Sequence, residues 1–277
     1  MRDFEYIAPS FLGEESREDI LSIRFSTGGL CFSVLRNGTI RVFIKESYTE
    51  MDEGDISDIV LRLLKEDPYA SLKYHQVQIQ YEKRDKLIIP EELLDDASLP
   101  LWMLTIHDYR YRDSYVRNRL DCMPATVVSS FPKNFIETVS SLCSNVIFTN
   151  SIVPFLKNSF ESIKQNDQKM RIFIDLHATY IDTVLFRGHT LQSLDTFDTA
   201  SAEDVLYYVI SLLNAKNKFL SAECILSGES PFKNQIISLL SRYLVKVVTV
   251  DCESWKIFCP ERIEQSSDFV YMLNSGI

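Results

Sequence analysis

The sequence predicts an α/β protein made of two copies of one βββαβαβα unit, the first copy carrying an insertion. Three observations lead there. The order of elements read from hydrophobic periodicity is nearly the same in the two halves of the chain. A short echo, Val34-Leu35-x-x-Gly38, returns 150 residues later as Val184-Leu185-x-x-Gly188. The chain has 277 residues, 45% of them apolar, with 17 Phe and 13 Tyr, which is enough to fill two cores. At roughly 150 residues per domain, that length suits two lobes.

The first unit opens as a meander. Residues 1–19 read as irregular and polar. Ile23 and Phe25, Leu30 to Leu35, and Ile40 to Ile44 then alternate as three strands. Thr27-Gly28-Gly29 and Asn37-Gly38 separate them, residue types that two-residue hairpin loops favour for positive φ. After the acidic stretch 50–58, Ile56, Ile59, Val60, Leu63 and Leu64 mark one face of a helix, closed by Asp67-Pro68. Val77, Ile79 and Tyr81 alternate as a strand. Leu87 to Leu94 reads as a strand running into a helix, and Leu101 to Ile106 as another strand. These fall in a proposed insertion at about 74–120. The unit resumes with a strand at Ala125 to Ser130, a helix carrying Phe135, Val139 and Leu142, a buried strand at 146–148, and a helix from about 152 to 165 capped by Ser151.

Polar residues 165–169 read as the link, which gives a first lobe of 1–165 and a second of 169–277. The second lobe repeats the meander at Arg171 to Asp175, Tyr180 to Leu185 and Thr190 to Leu194. Ser201 with Asp204 three positions on is a capping-box pattern, and Val205, Val209, Leu212 and Leu213 form the apolar face of the helix it opens. A strand at Cys224 to Leu226, a helix carrying Ile236, Leu239, Leu240 and Tyr243, and a β-branched strand at Val245 to Val250 complete it.

Composition removes several function classes. With 29 basic and 39 acidic residues the net charge is −10, which opposes a general nucleic-acid or acidic-membrane binder. No apolar h-region follows Met1-Arg2-Asp3 and no run reaches membrane-spanning length, so a cytoplasmic protein is expected. Six scattered cysteines without a CxxC pair read as reduced thiols, several of them buried. Only eight glycines are present, few for phosphate-cradling loops, and no Walker A, GxGxxG or GxSxG pattern occurs.

The duplicated βββαβαβα unit is similar to the ribonuclease H-like half of the actin-like ATPase fold, shared by actin, Hsp70 chaperones, sugar kinases and pilus-assembly ATPases. More closely, the chain resembles an uncharacterised bacterial family of actin-like proteins. Leu87-Ile88-Ile89-Pro90-Glu91-Glu92-Leu93-Leu94, Ser130-Phe131-Pro132-Lys133, and Leu194-Asp195-Thr196-Phe197 with Glu203-Asp204-Val205-Leu206-Tyr207-Tyr208 carry that likeness. The superfamily resemblance implies an Asp-x-Gly turn at the first hairpin of each half. There the carboxylate organises Mg²⁺ and the glycine admits phosphate to backbone N–H groups.

Tested against that pattern, the chain is depleted. Ile23-Arg24-Phe25-Ser26-Thr27-Gly28-Gly29 lacks the carboxylate whether Arg24 or Phe25 holds its position. Ile174-Asp175-Leu176-His177-Ala178-Thr179 keeps the aspartate but has His177 in place of glycine, and the adenosine-side Gly-Gly is reduced to Ser227-Gly228-Glu229. Asp175, Thr179, Gly228, Gly28 and Gly29 are therefore the nucleotide-site candidates. Against each stands a structural reading: a strand-end carboxylate bonded to backbone, and turn glycines. Asp175 and His177 alone are too few for a metal, and a nuclease reading through Asp175, Glu203 and Glu229 is weakened because Glu203 opens a helix.

The remaining candidate surface is Tyr109, Arg110, Tyr111, Arg112, Tyr115, Arg117 and Arg119, a locally basic, aromatic run in an acidic protein. Either it is an exposed hairpin whose arginines pair with the acidic 50–58 stretch, or it contacts a partner, a protein rather than RNA given the net charge. Two functions are carried forward. The leading one is a non-catalytic scaffold or adaptor for a cytosolic protein, with no cofactor. The alternative is a divergent ATP-binding protein or weak ATPase using ATP and Mg²⁺ in the interlobe cleft.

Overall fold

The structure is a computed structural model. It describes residues 2–11, 16–26, 28–37, 39–48, 51–104, 113–165, 167–215, 222–228 and 230–250. Contacts divide the chain into two compact units, the first running to Pro154 and the second starting at Phe155.

The first unit begins with a strand where the sequence suggested irregular chain: β1 (Phe4–Ile7) pairs antiparallel with the third meander strand. The meander follows as β2 (Ser16–Ser26), β3 (Gly29–Arg36) and β4 (Thr39–Ser47). Helix α1 (Glu53–Glu66) is capped by the Asp52 side chain, which accepts from the Asp55 N–H, and ends at Asp67 before Pro68. Next, β5 (Tyr74–Tyr81) lies parallel to β2 in the same sheet, so this segment belongs to the repeated unit and not to the insertion. Its buried residues Val77, Ile79 and Tyr81 join the core formed by α1 and the meander.

The insertion is a separate three-stranded sheet between β5 and the next helix. It contains β6 (Lys86–Pro90), a 3-10 turn at Glu91–Leu93, α2 (Leu99–Met103), β7 (Asp113–Leu120) and β8 (Ala125–Pro132), ordered β6-β8-β7. Two expectations are corrected here. Ala125 to Ser130 is a strand of this small sheet, and Leu101 to Met103 is helical. Pro100 sits in the first turn of α2, and Leu99 and Met103, one helical turn apart, pack on Ile89 and Val128.

The first sheet is completed after α3 (Lys133–Leu142) by β9 (Val146–Asn150), parallel to β5, and α4 (Ile152–Glu161) follows, beginning at the end of the first unit and running into the second. The Asn150 side chain, and not that of Ser151, accepts from the first helical N–H of α4, that of Ile152, at 3.0 Å. The lobe sheet is ordered β1-β4-β3-β2-β5-β9. Residues 165–169, read as the link, follow α4 inside the second unit, where Asp167 accepts from the Lys169 N–H and from Arg171.

The second unit follows the expected order: β10 (Met170–Leu176), β11 (Tyr180–Arg187), β12 (Thr190–Asp198), α5 (Ala202–Ala215), β13 (Glu223–Gly228), α6 (Lys233–Leu240) and β14 (Lys246–Thr249). Its sheet runs β12-β11-β10-β13-β14. Val205, Val209, Leu213, Ile236 and Leu240 bury the helices against Ile172, Ile174, Ile181, Leu185, Cys224 and Leu226.

The duplication is real, but its offset is 151 residues and not 150. Arg36 and Thr39 flank the second turn of the first meander as Arg187 and Thr190 flank that of the second. Each meander carries a register irregularity one pair before that turn, at Val34/Leu35 and at Leu185/Phe186. In these second turns Asn37 (φ 50°) and Gly188 (φ 54°) adopt positive φ, equivalent at the same offset. Gly28 and Gly29 do not adopt positive φ, contrary to the hairpin argument from sequence.

Candidate functional site

The two first-hairpin turns are where the resemblance puts a nucleotide site, and pairing from the turn outward fixes their equivalences. In the second unit His177 N–H donates to Tyr180 O at 3.0 Å, and Asp175 lies opposite Asp182. In the first, Ser26 pairs with Gly29 and Arg24 with Cys31. Arg24, and not Phe25, therefore stands where Asp175 stands in the other unit. Phe25 faces the core, stacked on Tyr81 at a centroid distance of 4.6 Å.

At the first turn a cation replaces the carboxylate. The Arg24 side chain is 5% exposed, and its Nη2 donates to Glu82 Oε2 at 2.9 Å. The same sheet face carries buried Ser22, Ser33, Gln78 and Gln80, with Gln80 Nε2 donating to Ser22 Oγ at 3.3 Å. The turn glycines have local work. A Cβ on Gly29 would sit 2.6 Å from the Glu46 carbonyl oxygen, so close passage of β4 requires glycine. The Gly28 N–H donates to Ser26 Oγ at 3.2 Å, and its carbonyl accepts from Tyr48 N–H at 2.9 Å.

The second turn holds a polar row across four adjacent strands, Thr196, Asp182, Asp175 and Ser227, of which Thr196 is half-buried and the other three are buried. Thr196 Oγ1 donates to Asp182 Oδ1 at 2.6 Å. Ser227 Oγ lies 3.2 Å from Asp175 Oδ1 and 3.1 Å from the Ile174 carbonyl oxygen. His177, two residues beyond Asp175 on the same strand face, sets its Nε2 3.3 Å from Asp182 Oδ2 and 3.7 Å from Asp175 Oδ2. Its ring stacks on Tyr180 at 4.1 Å. The two carboxylates and the imidazole are each nearly fully buried. This arrangement places one imidazole nitrogen against both acids in a compact buried polar cluster, on the sheet face opposite Ile174 and Leu176. No group of three or more ligands suited to a metal is present among the described residues.

Gly228 ends β13 with φ +76°, and a Cβ there would run into the Leu176 carbonyl oxygen, so both conformation and space demand glycine. Lys233 Nζ donates to the Gly228 carbonyl oxygen at 2.9 Å. Thr179 is exposed in the turn, its carbonyl accepting from Thr199 N–H at 2.9 Å. Asp175 and Gly228 are thus neighbours, with Thr179 at the turn beyond them. Asp182 was missed from sequence. Counting strand register back from a two-residue Ala178-Thr179 turn would have paired it with Asp175.

Of the basic aromatic run, Tyr109, Arg110, Tyr111 and Arg112 lie outside the described residues, as does Glu229. Tyr115, Arg117 and Arg119 are on β7. Arg117 pairs with Asp96, and Arg119 Nε lies 2.6 Å from Glu91 Oε1. These acids come from the insertion itself and not from the 50–58 stretch, because β6 and β7 flank β8 in one small sheet.

Comparison with family models decides the membership. The family described as "Protein of unknown function (DUF3822)" matches over residues 9–247. The chain belongs to this family. Among solved structures, this DUF3822 chain is similar to a Bacteroides thetaiotaomicron protein described as having an actin-like ATPase fold and unknown function. The TM-score is 0.75 at 19% identity, covering 85% of this chain and 91% of that one. It is also similar to a chain of the PilM-PilN type IV pilus biogenesis complex, at TM-score 0.66 and 13% identity over 94% and 98% of the two chains. Ethanolamine utilization protein EutJ from Carboxydothermus hydrogenoformans follows at 0.50 and 10%, over 92% and 87%. No curated protein matches in sequence. The fold is the actin-like ATPase fold. No helix among the described residues is long and apolar enough to cross a membrane.

Proposed function

We propose that this DUF3822 protein is a non-catalytic, actin-fold adaptor that binds another protein in the cytosol. One observation carries the reading: the two turns that would organise Mg²⁺ and phosphate are committed to internal contacts. Arg24, paired with Glu82, holds the first carboxylate position, and a cation there repels Mg²⁺. Asp175 is enclosed with His177 and Ser227, and the backbone N–H groups of Gly28 and His177 already donate within their own hairpins. ATP with Mg²⁺ is a poor fit to this set of residues, since phosphate binding needs free N–H donors and at least one carboxylate open to the metal. The likeness to a chain from the PilM-PilN complex supports binding to a protein.

Calorimetric titration of the protein and an Asp175→Ala variant with ATP and Mg²⁺ tests this reading. The expected result is no saturable heat from either folded protein. Saturable binding that disappears in Asp175→Ala would overturn it and put the divergent ATPase ahead. For the partner surface, capture of a binding protein should weaken in an Arg117→Glu/Arg119→Glu variant; unchanged capture removes β7 from the contact.

A further inference from the structure

The first sheet is buried on both faces, but its two helices account for only one of them. Helices α1 and α3 cover that face, with Val60, Leu63, Phe135 and Val139 in the core beside Ile23, Phe32 and Ile79. Side chains alternate along a strand, so Ser22, Cys31, Ser33, Phe43, Gln78 and Gln80 point to the opposite face. None of these six is more than 5% exposed. The face also has unmet hydrogen-bonding capacity. Gln78 Oε1, Gln80 Oε1 and Ser33 Oγ have no hydrogen-bond partner among the described residues. A buried acceptor left unpaired is costly, so the cover of this face has to bring N–H or O–H donors.

The second unit shows how such a face is closed. Phe173, Val184 and Phe186 lie on its sheet, opposite the core made with α5 and α6. Helix α4 packs there, its Phe160 ring edge-on to Phe186 at 6.1 Å. That helix directly follows β9, the last strand of the first sheet. The segment after the first sheet thus covers the second. Both faces of the second sheet are then taken, and the duplication directs the segment after β14 to the first.

Residues 251–277 follow β14 and lie outside the described residues. Within them the α4 sequence recurs. At an offset of 117, Ile152, Val153, Phe155, Leu156 and Phe160 correspond to Phe269, Val270, Met272, Leu273 and Ile277. Polar Asn150, Ser151, Lys157 and Asn158 correspond to Ser267, Asp268, Asn274 and Ser275. We infer that this second face of the first sheet is the docking site for residues 267–277 of the same chain. Met272 and Leu273 match its apolar residues Cys31 and Phe43, and Asn274 and Ser275 carry the donors that Gln78, Gln80 and Ser33 lack. Asn158, the counterpart of Ser275, is likewise buried on α4. The inference stands apart from the adaptor reading, since it concerns how the chain closes on itself.

Photo-crosslinking of the full chain with benzoylphenylalanine in place of Met272 tests the site directly. The expected products join position 272 to peptides of β2, β3 or β5 within one chain. Cross-links confined to second-unit peptides, or joining two chains, overturn the inference. Alkylation gives an independent readout, because Cys31 lies on the proposed site and Cys224 in the other core. In Met272→Asp/Leu273→Asp, Cys31 should be modified about tenfold faster than in wild type while Cys224 keeps its rate. Met272→Leu should leave both rates unchanged. An unchanged Cys31 rate in the double variant overturns the inference. So does equal acceleration at both cysteines together with no cross-link to the first sheet.

Discussion

Arg24 and Asp175 occupy the same place in two copies of one hairpin, and their opposite charges set what each turn can do. Arg24 is stable in its buried position because Glu82 meets it. Removing one member of such a pair strands the other charge, so Arg24→Ala should cost about 3 kcal/mol, toward the low end because Glu82 keeps some exposure. Chemical denaturation would measure it, and Arg24→Ala/Glu82→Ala should cost less than the two single variants added together. The glycines give a second contrast. Gly228→Ala meets both a left-handed backbone and the Leu176 carbonyl, and should cost more than about 2 kcal/mol. Gly28→Ala meets only Ser26 Oγ at 3.7 Å, without positive φ, and should stay within about 0.5 kcal/mol. The motif residues themselves were legible in sequence, because Asp-x-Gly turns are short and local. Their partners Glu82 and Asp182 were not, since one comes from another strand and the other depends on register.

At the scale of elements, α5 shows how far local chemistry reaches. Its capping box forms as the sequence pattern implied. Asp204 N–H donates to Ser201 Oγ at 3.2 Å, while the Asp204 carboxylate accepts from the Ala200 and Ser201 N–H groups at 2.9 Å. Ser201→Ala should cost about 1 kcal/mol in the second unit. The hydrogen bonds, first from Ala200 and then from Ser201, hold the Asp204 carboxyl below its ordinary range. A carboxylate with a lower pKa folded than unfolded contributes above the unfolded value, and that contribution is lost as pH falls through the folded value. The melting-temperature gap between wild type and Asp204→Asn should therefore be constant near neutral pH and close on acidification. Elements without such local signals were misread. The apolar run at Leu101 to Met103 has no periodicity that separates strand from helix, and packing of Leu99 and Met103 on Ile89 and Val128 decided it. Strand β1 has too few residues to announce itself and exists because β4 offers an edge.

For the whole molecule, each unit buries its own core, and two cysteines report on them separately. Cys31 is buried on β3 and Cys224 on β13. Burial also pushes the Cys224 thiol well above its ordinary pKa, so both should resist alkylation in the native protein. Leu213→Ala opens a cavity in the second core and should cost about 2–5 kcal/mol. If the units open independently, mass spectrometry of pulse-labelled protein should find faster modification at Cys224 and an unchanged rate at Cys31. Equal acceleration at both would mean that they open together.

The sequence by itself determined the repeated element order and the amphipathic faces of α1, α3, α5 and α6. It also determined that neither Arg24 nor Phe25 offers a carboxylate at the first hairpin. These depend on spacing along the chain, and hydrophobic periods of two and 3.6 residues record it directly. Only the tertiary structure decided that β5 belongs to the lobe sheet and β8 to the insertion, since a strand's period does not name its neighbour. It alone set Arg24 opposite Cys31 and Asp175 opposite Asp182, because register comes from turn geometry and core packing, which one residue of slip would reverse. The buried cluster of Asp175, His177 and Asp182 belongs to that second class: its members are near in sequence, but strand pairing is what brings their charges together.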